Sequence, residues 1–245
     1  MATEREIAAR TRRSFLALGV AAAAGASGWE WLRSRRDDGG IPVSFRRVLE
    51  FNEAVTEKVL FSNSHLAPTY PKSRSQNIRP NGSIGLDGEV NVREWRLGLT
   101  KLDGKKPERL ITLDEIKRLP KAEHVTEFKC VEGWSQVVHW AGARLSDFIR
   151  CYAADSLQAK YVSLATPDSA YYVGIDMPSA LHPQTLLCYE MNGEPLTGEH
   201  GAPLRLVIPV KYGIKSIKRI GSIELRNDRP HDYWAEQGYD FYAAL

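Results

Sequence analysis

Residues 128–140 read FKCVEGWSQVVHW, and how this stretch is folded governs the reading of the rest of the chain. Cys130 and Glu132 stand two residues apart, followed by Gly133, between apolar runs. In an extended segment, side chains two apart point to the same side. Cys130 and Glu132 are therefore expected to face a shared cavity, with Gly133 letting the backbone turn or admit a bulky ligand. A thiolate beside a carboxylate suits a soft metal centre. The competing reading is a strand end with Glu132 in solvent. A nucleophilic Cys130 with His139 as its base is a further alternative, but His139 lies far along an extended run and no third group is evident.

The other two cysteines, Cys151 and Cys188, read as small buried hydrophobes, the first on a helix and the second on an apolar strand. Three cysteines are too few for a disulfide framework. There is no Cys-x-x-Cys and no His-Glu-x-x-His, so a zinc site is not expected. At 245 residues the chain fits one large domain, or one domain with a tail. Its net charge of +3 comes from residues 1–36, which hold seven Arg against three Glu. The remainder carries 26 basic against 27 acidic residues, so a basic footprint for nucleic acid is absent.

The N-terminal stretch TRRSFLALGVAAAAGASG places Arg12 and Arg13 before Ser14, Phe15 and Leu16, then a run of small and apolar residues. That is the order of a twin-arginine export signal. Cleavage is the first expectation, and residues 1–36 are assigned to the signal. An extension of the run through Trp29, Trp31 and Leu32 offers an uncleaved membrane anchor as the alternative, against which Glu30 counts.

Residues 37–83 form a second region, and RSRRDDGG makes the linker into it. RRVLEFNEAVTEKVLF places Val48, Leu49, Phe51, Val55, Val59 and Leu60 near helical spacing, which predicts an amphipathic helix. From Phe61 to Gly88, Pro68, Pro71 and Pro80 break any regular element, and long irregular segments are often functional. Residues 84–245 form the main domain. VREWRLGLTKLDGKKPERLIT reads as strand, turn and strand around Asp103-Gly104. Thr112 with Glu115 makes a capping box that starts a short helix ending before Pro120. RLSDFIRCYAA reads as a second helix capped by Ser146. KYVSLAT, TLLCYEMNGEPL with its Asn192-Gly193 turn, PLRLVIPV and IGSIELR supply strands. Many strands and few short helices predict a mixed α+β domain. Glycine fingerprints for nucleotides are missing.

FKCVEGWSQVVHWAGARLSDFI, HGAPLRLVIPVKYGIKSIKRIGSIEL and the tail WAEQGYDFY together resemble the sulfite-oxidase-fold molybdopterin oxidoreductases, from roughly Ile84 to Tyr242. Within that group the chain is most similar to the periplasmic protein-methionine-sulfoxide reductase catalytic subunits, whose motif reads Cys-Val-Glu-Ala-Trp-Ser. The resemblance implies a sulfite-oxidase-type fold of mixed β-sheets and one molybdenum held by a single molybdopterin, without a nucleotide extension. Cys130 would be the protein's ligand to the metal, with Glu132 beside it. Thr166 resembles the threonine that contacts the pterin, and Arg205 the arginine that holds the cofactor's phosphate end. Ser216, Ile217 and Lys218 fall on the family's cofactor-binding stretch. Backbone amides and cations suit a phosphate monoester. His200 matches the sulfite oxidases, where the reductases have Asn. Asn63 and His65 resemble the Asn-His-x-Pro segment near the pterin. Lys211 and Arg219 read as a solvated basic face.

The implied reaction is reduction of S-oxides such as methionine sulfoxide, whose loss of oxygen restores an apolar thioether. Oxidation of sulfite is the second reading, and a metal-free exported binding domain the third. No Cys-x-x-Cys-His haem motif is present, so reducing equivalents are expected from a partner, in this family often a membrane haem protein. The twin-arginine route carries folded proteins, so export machinery is a further expected partner.

Overall fold

The computed structural model describes residues 4–34, 37–38, 41–62 and 64–245. Asn63 and the linker residues Arg35, Arg36, Gly39 and Gly40 lie outside the described residues. The chain divides into two compact units, Met1–Phe51 and Asn52–Leu245.

In the first unit, α1 spans Glu4–Arg33, and its side chains from Arg12 to Trp31 are exposed. Among the described residues no helix is long and apolar enough to cross a membrane. Two short strands, β1 (Asp37–Asp38) and β2 (Ile41–Pro42), pair antiparallel. The amphipathic pattern forms a helix as expected, α2 (Val43–Val55), continued by a π-turn over Thr56–Leu60. Its apolar stripe is exposed at Val48, Phe51, Val55 and Val59. Its buried residue is instead Glu53, which falls within the second unit and receives Arg229 there at 2.8 Å.

The second unit is built on two five-stranded sheets. One contains β3 (Leu97–Thr100), β4 (Arg109–Ile111), β7 (Tyr161–Ala165), β8 (Tyr172–Asp176) and β12 (Ser222–Arg226), in the order β4-β3-β12-β7-β8. Only β12 and β3 run parallel, so this sheet is mixed. The other is antiparallel: β5 (Lys121–Lys129), β6 (Ser135–Arg144) and β9 (Leu186–Met191) follow one another, and β10 (Glu194–Pro195) and β11 (Arg205–Val207) both pair with β9. Short helices α3 (Leu113–Lys117), α4 (Leu145–Tyr152), α5 (Met177–Ala180) and α6 (Tyr233–Glu236) complete the unit. This is the α+β architecture the sequence predicts.

Alternation along β9 shows how the second sheet packs on both faces. Leu187 and Tyr189 join the main core with Leu164, Phe148 and Ile223, while Leu186 and Cys188 join a smaller cluster with Val138, Trp140 and Val207. Each fully buried side chain of this size contributes ~1.5–3 kcal/mol. Thr112 caps α3 through the expected box, its hydroxyl accepting from the Glu115 amide at 3.1 Å. Ser146 does not cap α4. Leu145, wholly buried and bonded through its amide to the Thr185 carbonyl, starts the helix two residues earlier than a Ser146 cap would, and Arg144 occupies the cap position. Cys188 is buried as expected, whereas Cys151 is exposed on α4. Strand β8 carries no sequence expectation, because Gly174 interrupts its pattern; an added Cβ there would meet Phe241 and Pro230 at 2.7 Å.

Candidate active site

β5 and β6 form a hairpin whose last pair is Lys129↔Ser135. The connecting turn holds Cys130 and Glu132. The Cys130 amide donates to the Trp134 carbonyl at 2.9 Å, and the Gly133 amide donates to the Cys130 carbonyl at 3.1 Å. Gly133 takes φ +87°, a left-handed conformation that glycine adopts without penalty. Cys130 and Glu132 thus share a turn rather than an extended segment, and the two-residue facing rule does not apply to them. They converge for another reason. Nδ2 of Asn81 lies 3.7 Å from the Cys130 sulfur and 3.4 Å from Oε2 of Glu132.

Cys130 is 9% exposed and lines a cavity of about 160 Å³. Glu132, Arg205, Ser216 and Lys218 share its wall. Glu132 is half-exposed; the indole N–H of Trp134 at 3.0 Å, then Asn81, hold its carboxyl below the usual range. Arg79 approaches the same carboxylate at 3.3 Å and stacks on Trp134. Arg205 comes from β11 and is almost wholly buried. Its guanidinium donates to the carbonyls of His200 and Ser216 at 3.2 and 3.3 Å and lies 4.9 Å from the Trp140 ring. Burial lowers its pKa to about 10, so it stays cationic at neutral pH. Lys218 donates to the carbonyls of Asn81, Gly82 and Glu199 at 2.9, 3.0 and 2.8 Å. Burial, then Arg205, brings its pKa down to about 8.

Other sequence candidates stand off this wall. The Thr166 hydroxyl is engaged locally, donating to Asp168 at 2.5 Å and accepting from the Tyr171 amide at 3.1 Å. His200 is buried and acts on the cavity through its carbonyl. Ile217 packs in the main core. His65 borders a separate cavity of about 430 Å³, with Phe61, Lys211 and Tyr242. Lys211 and Arg219 do not form a solvated face. Lys211 is buried, donating to the Tyr242 carbonyl at 2.7 Å beside Asp176 at 3.5 Å, and Arg219 is buried on the carbonyls of Asp87 and Gly88. The basic residues of this stretch satisfy internal carbonyls and carboxylates, a role charge counting does not reveal. His139 bonds Glu123 at 3.0 Å, four residues inside the hairpin from Ser135, so it does not serve Cys130 as a base.

Residues 85–234 match the family described as the oxidoreductase molybdopterin binding domain. The chain belongs to this family. It is 38% identical over 209 residues to a putative protein-methionine-sulfoxide reductase subunit YedZ1 of Azospira oryzae, covering 84% of this chain and 78% of that protein. It is 31% identical over 254 residues to the protein-methionine-sulfoxide reductase catalytic subunit MsrP of Campylobacter jejuni, covering 96% of this chain and 80% of the relative. Among solved structures, the sulfane dehydrogenase SoxCD of Paracoccus pantotrophus shares the fold, with a TM-score of 0.51 and 18% identity over 68% of this chain and 46% of that one.

The cavity of this molybdopterin-binding oxidoreductase fits such a cofactor. Among the described residues, no group of three or more His, Cys, Asp or Glu could hold a metal ion. A metal bound at Cys130 therefore takes its other ligands from outside the side chains, as a dithiolene supplies. Nε of Arg205 is buried with no hydrogen-bond partner among the described residues, which suits an anionic group nearby. Gly213 gives a close approach on the same wall: an added Cβ would run into the Phe128 ring. Asn81 and Arg79 had no sequence signal beyond their place in the irregular segment. Only the fold brings them to the hairpin turn.

Proposed function

We propose that this chain is an exported reductase that removes oxygen from S-oxides, methionine sulfoxide in particular, with Cys130 as the protein ligand to molybdenum. The observation that carries this reading is the meeting of Cys130 and Arg205 on one cavity wall, a sulfur donor at one position and a buried cation at another. The names of the relatives, protein-methionine-sulfoxide reductases, supply the substrate class. When bound, the molybdenum cofactor supplies two-electron oxygen-atom transfer. The chain does the rest. Cys130 would hold the metal, and Arg205, whose buried Nε has no hydrogen-bond partner among the described residues, would grip the phosphate end of a molybdopterin without nucleotide beside Ser216. Lys218 would add positive charge while its amine holds the Asn81, Gly82 and Glu199 carbonyls. Glu132, a half-exposed carboxylate on the cavity wall, would relay protons taken up from solvent toward the oxygen being removed. Trp234 and Tyr239 give the thioether product an apolar wall.

Arg12 and Arg13 ahead of an apolar run support export by the twin-arginine route. Electrons come from a separate protein, a membrane haem protein being the fitting class. The test is metal and pterin analysis of protein made in a cofactor-competent host, with S-oxide, N-oxide and sulfite assays. One molybdenum per chain and turnover of methionine sulfoxide with a dye donor are expected. Metal-free protein, or oxidation of sulfite in place of S-oxide reduction, overturns the reading.

A further inference from the structure

Asn81 lies outside both sheets, yet its side chain enters the cavity. Nδ2 stands 3.7 Å from the Cys130 sulfur, within reach of a sulfur acceptor, and 3.4 Å from Glu132. The backbone around it is held independently. Lys218 takes the carbonyls of Asn81 and Gly82, and two residues earlier the Arg79 amide donates to Gln136 at 2.9 Å. A change confined to the Asn81 side chain leaves these attachments in place, so the side chain has a role separable from the path of the segment.

We propose that Asn81 is a positioning residue, which orients the Cys130 sulfur by an N–H donor and shares that amide with Glu132, so that two anionic groups stand together at the metal. This inference rests on the reading of Cys130 as the molybdenum ligand. Hydrogen bonds to a ligating sulfur tune the potential of its metal. A donor withdraws charge from the sulfur and favours the reduced, electron-rich state. Arg79 adds a cation at the same carboxylate oxygen, Oε2, at 3.3 Å.

The test is a reductive titration of the loaded holoenzyme, with the Mo(V)/Mo(IV) couple followed by electron paramagnetic resonance, in wild type, Asn81→Ala and Asn81→Asp. Asn81→Ala is expected to shift the reduction equilibrium toward the oxidised state by up to about tenfold, ~59 mV for one electron. Asn81→Asp, which places a like charge against the sulfur in the same shape, is expected to shift it further in the same direction. Molybdenum content per folded chain is measured alongside, and potentials are read on the loaded fraction. Potentials within twofold of wild type in both variants overturn the proposal. A variant that folds but holds no molybdenum also overturns it, since Asn81 then serves loading rather than tuning. Failure of the underlying reading is distinguishable: wild-type protein then lacks molybdenum, or Cys130→Ser retains it with an unchanged signal.

Discussion

Cys188 sits in the middle of β9, directly paired with Arg205 on β11, whereas Cys130 closes the β5–β6 hairpin and meets Arg205 across the cavity. Strand pairing gives Cys188 the better electrostatic neighbour. Burial decides otherwise. Cys188 is fully enclosed, its thiol contacts the Glu190 carbonyl at 3.1 Å, and desolvation pushes its pKa up to about 12 although the guanidinium pulls the other way. Cys130 escapes that enclosure because the hairpin ends one residue before it, so its sulfur faces a cavity and an amide donor. The difference teaches that a strand's end, where the ladder stops, leaves a sulfur open to a cavity, whereas a paired position encloses it even beside a cation.

The largest test of this contrast exchanges each sulfur for oxygen. Cys130→Ser is expected to lower S-oxide turnover at least ~100-fold, since even outer-shell partners of a metal carry 10–100-fold effects. Cys188→Ser is expected to keep turnover per folded molecule and lose ~1–3 kcal/mol of stability by burying a hydroxyl among apolar groups. The reverse pattern, seen by steady-state kinetics and urea unfolding, would break the comparison. Alkylation of cofactor-free protein by iodoacetamide at pH 8 sharpens it: Cys188 should react at least ~100-fold more slowly than the exposed Cys151, as peptide mapping will report. Equal rates would show that β9 opens readily.

Arg205 links the two cysteines and gives the next effect. Arg205→Met leaves the carbonyls of His200 and Ser216 without their donor, and a loss of ~2 kcal/mol is expected in chemical unfolding. Stability unchanged in that variant would remove Arg205 as a structural cation. The smallest effect extends the contrast to lysines. Burial holds Lys211 at about 8, below the ~10.4 of an unfolded lysine. Between pH 8 and 10 the unfolded chain therefore keeps a proton that the folded chain has released, and stability from this group rises with pH, by ~1 kcal/mol per unit at most. Lys211→Met should flatten that rise; identical slopes in wild type and variant would contradict the burial argument.

Part of this structure is written locally. Thr112 and Glu115 announce α3, and Asn192–Gly193 closes the turn between β9 and β10, because the groups that satisfy each other lie within a few residues. The Cys-Val-Glu-Gly order and the downstream basic stretch together pointed to the family, and Cys130, Glu132, Arg205, Ser216 and Lys218 do meet on one wall. Local cues failed where distant packing competed with them. Leu145 displaced the Ser146 cap because its burial in the core outweighs one hydroxyl bond, and Lys211 went inside because Asp176 and the Tyr242 carbonyl, far along the chain, receive it.

By itself, then, the sequence determined the strand-rich character, the turn signals and the family, since these are written in neighbours along the chain. Only the tertiary structure decided that Cys130 and Glu132 meet through a turn and the Asn81 amide rather than through an extended strand. It also decided which cations are enclosed and that Thr166 bonds within its own loop. Those outcomes depend on sheet pairing between segments many residues apart, where burial and unsatisfied polar groups outweigh local preference.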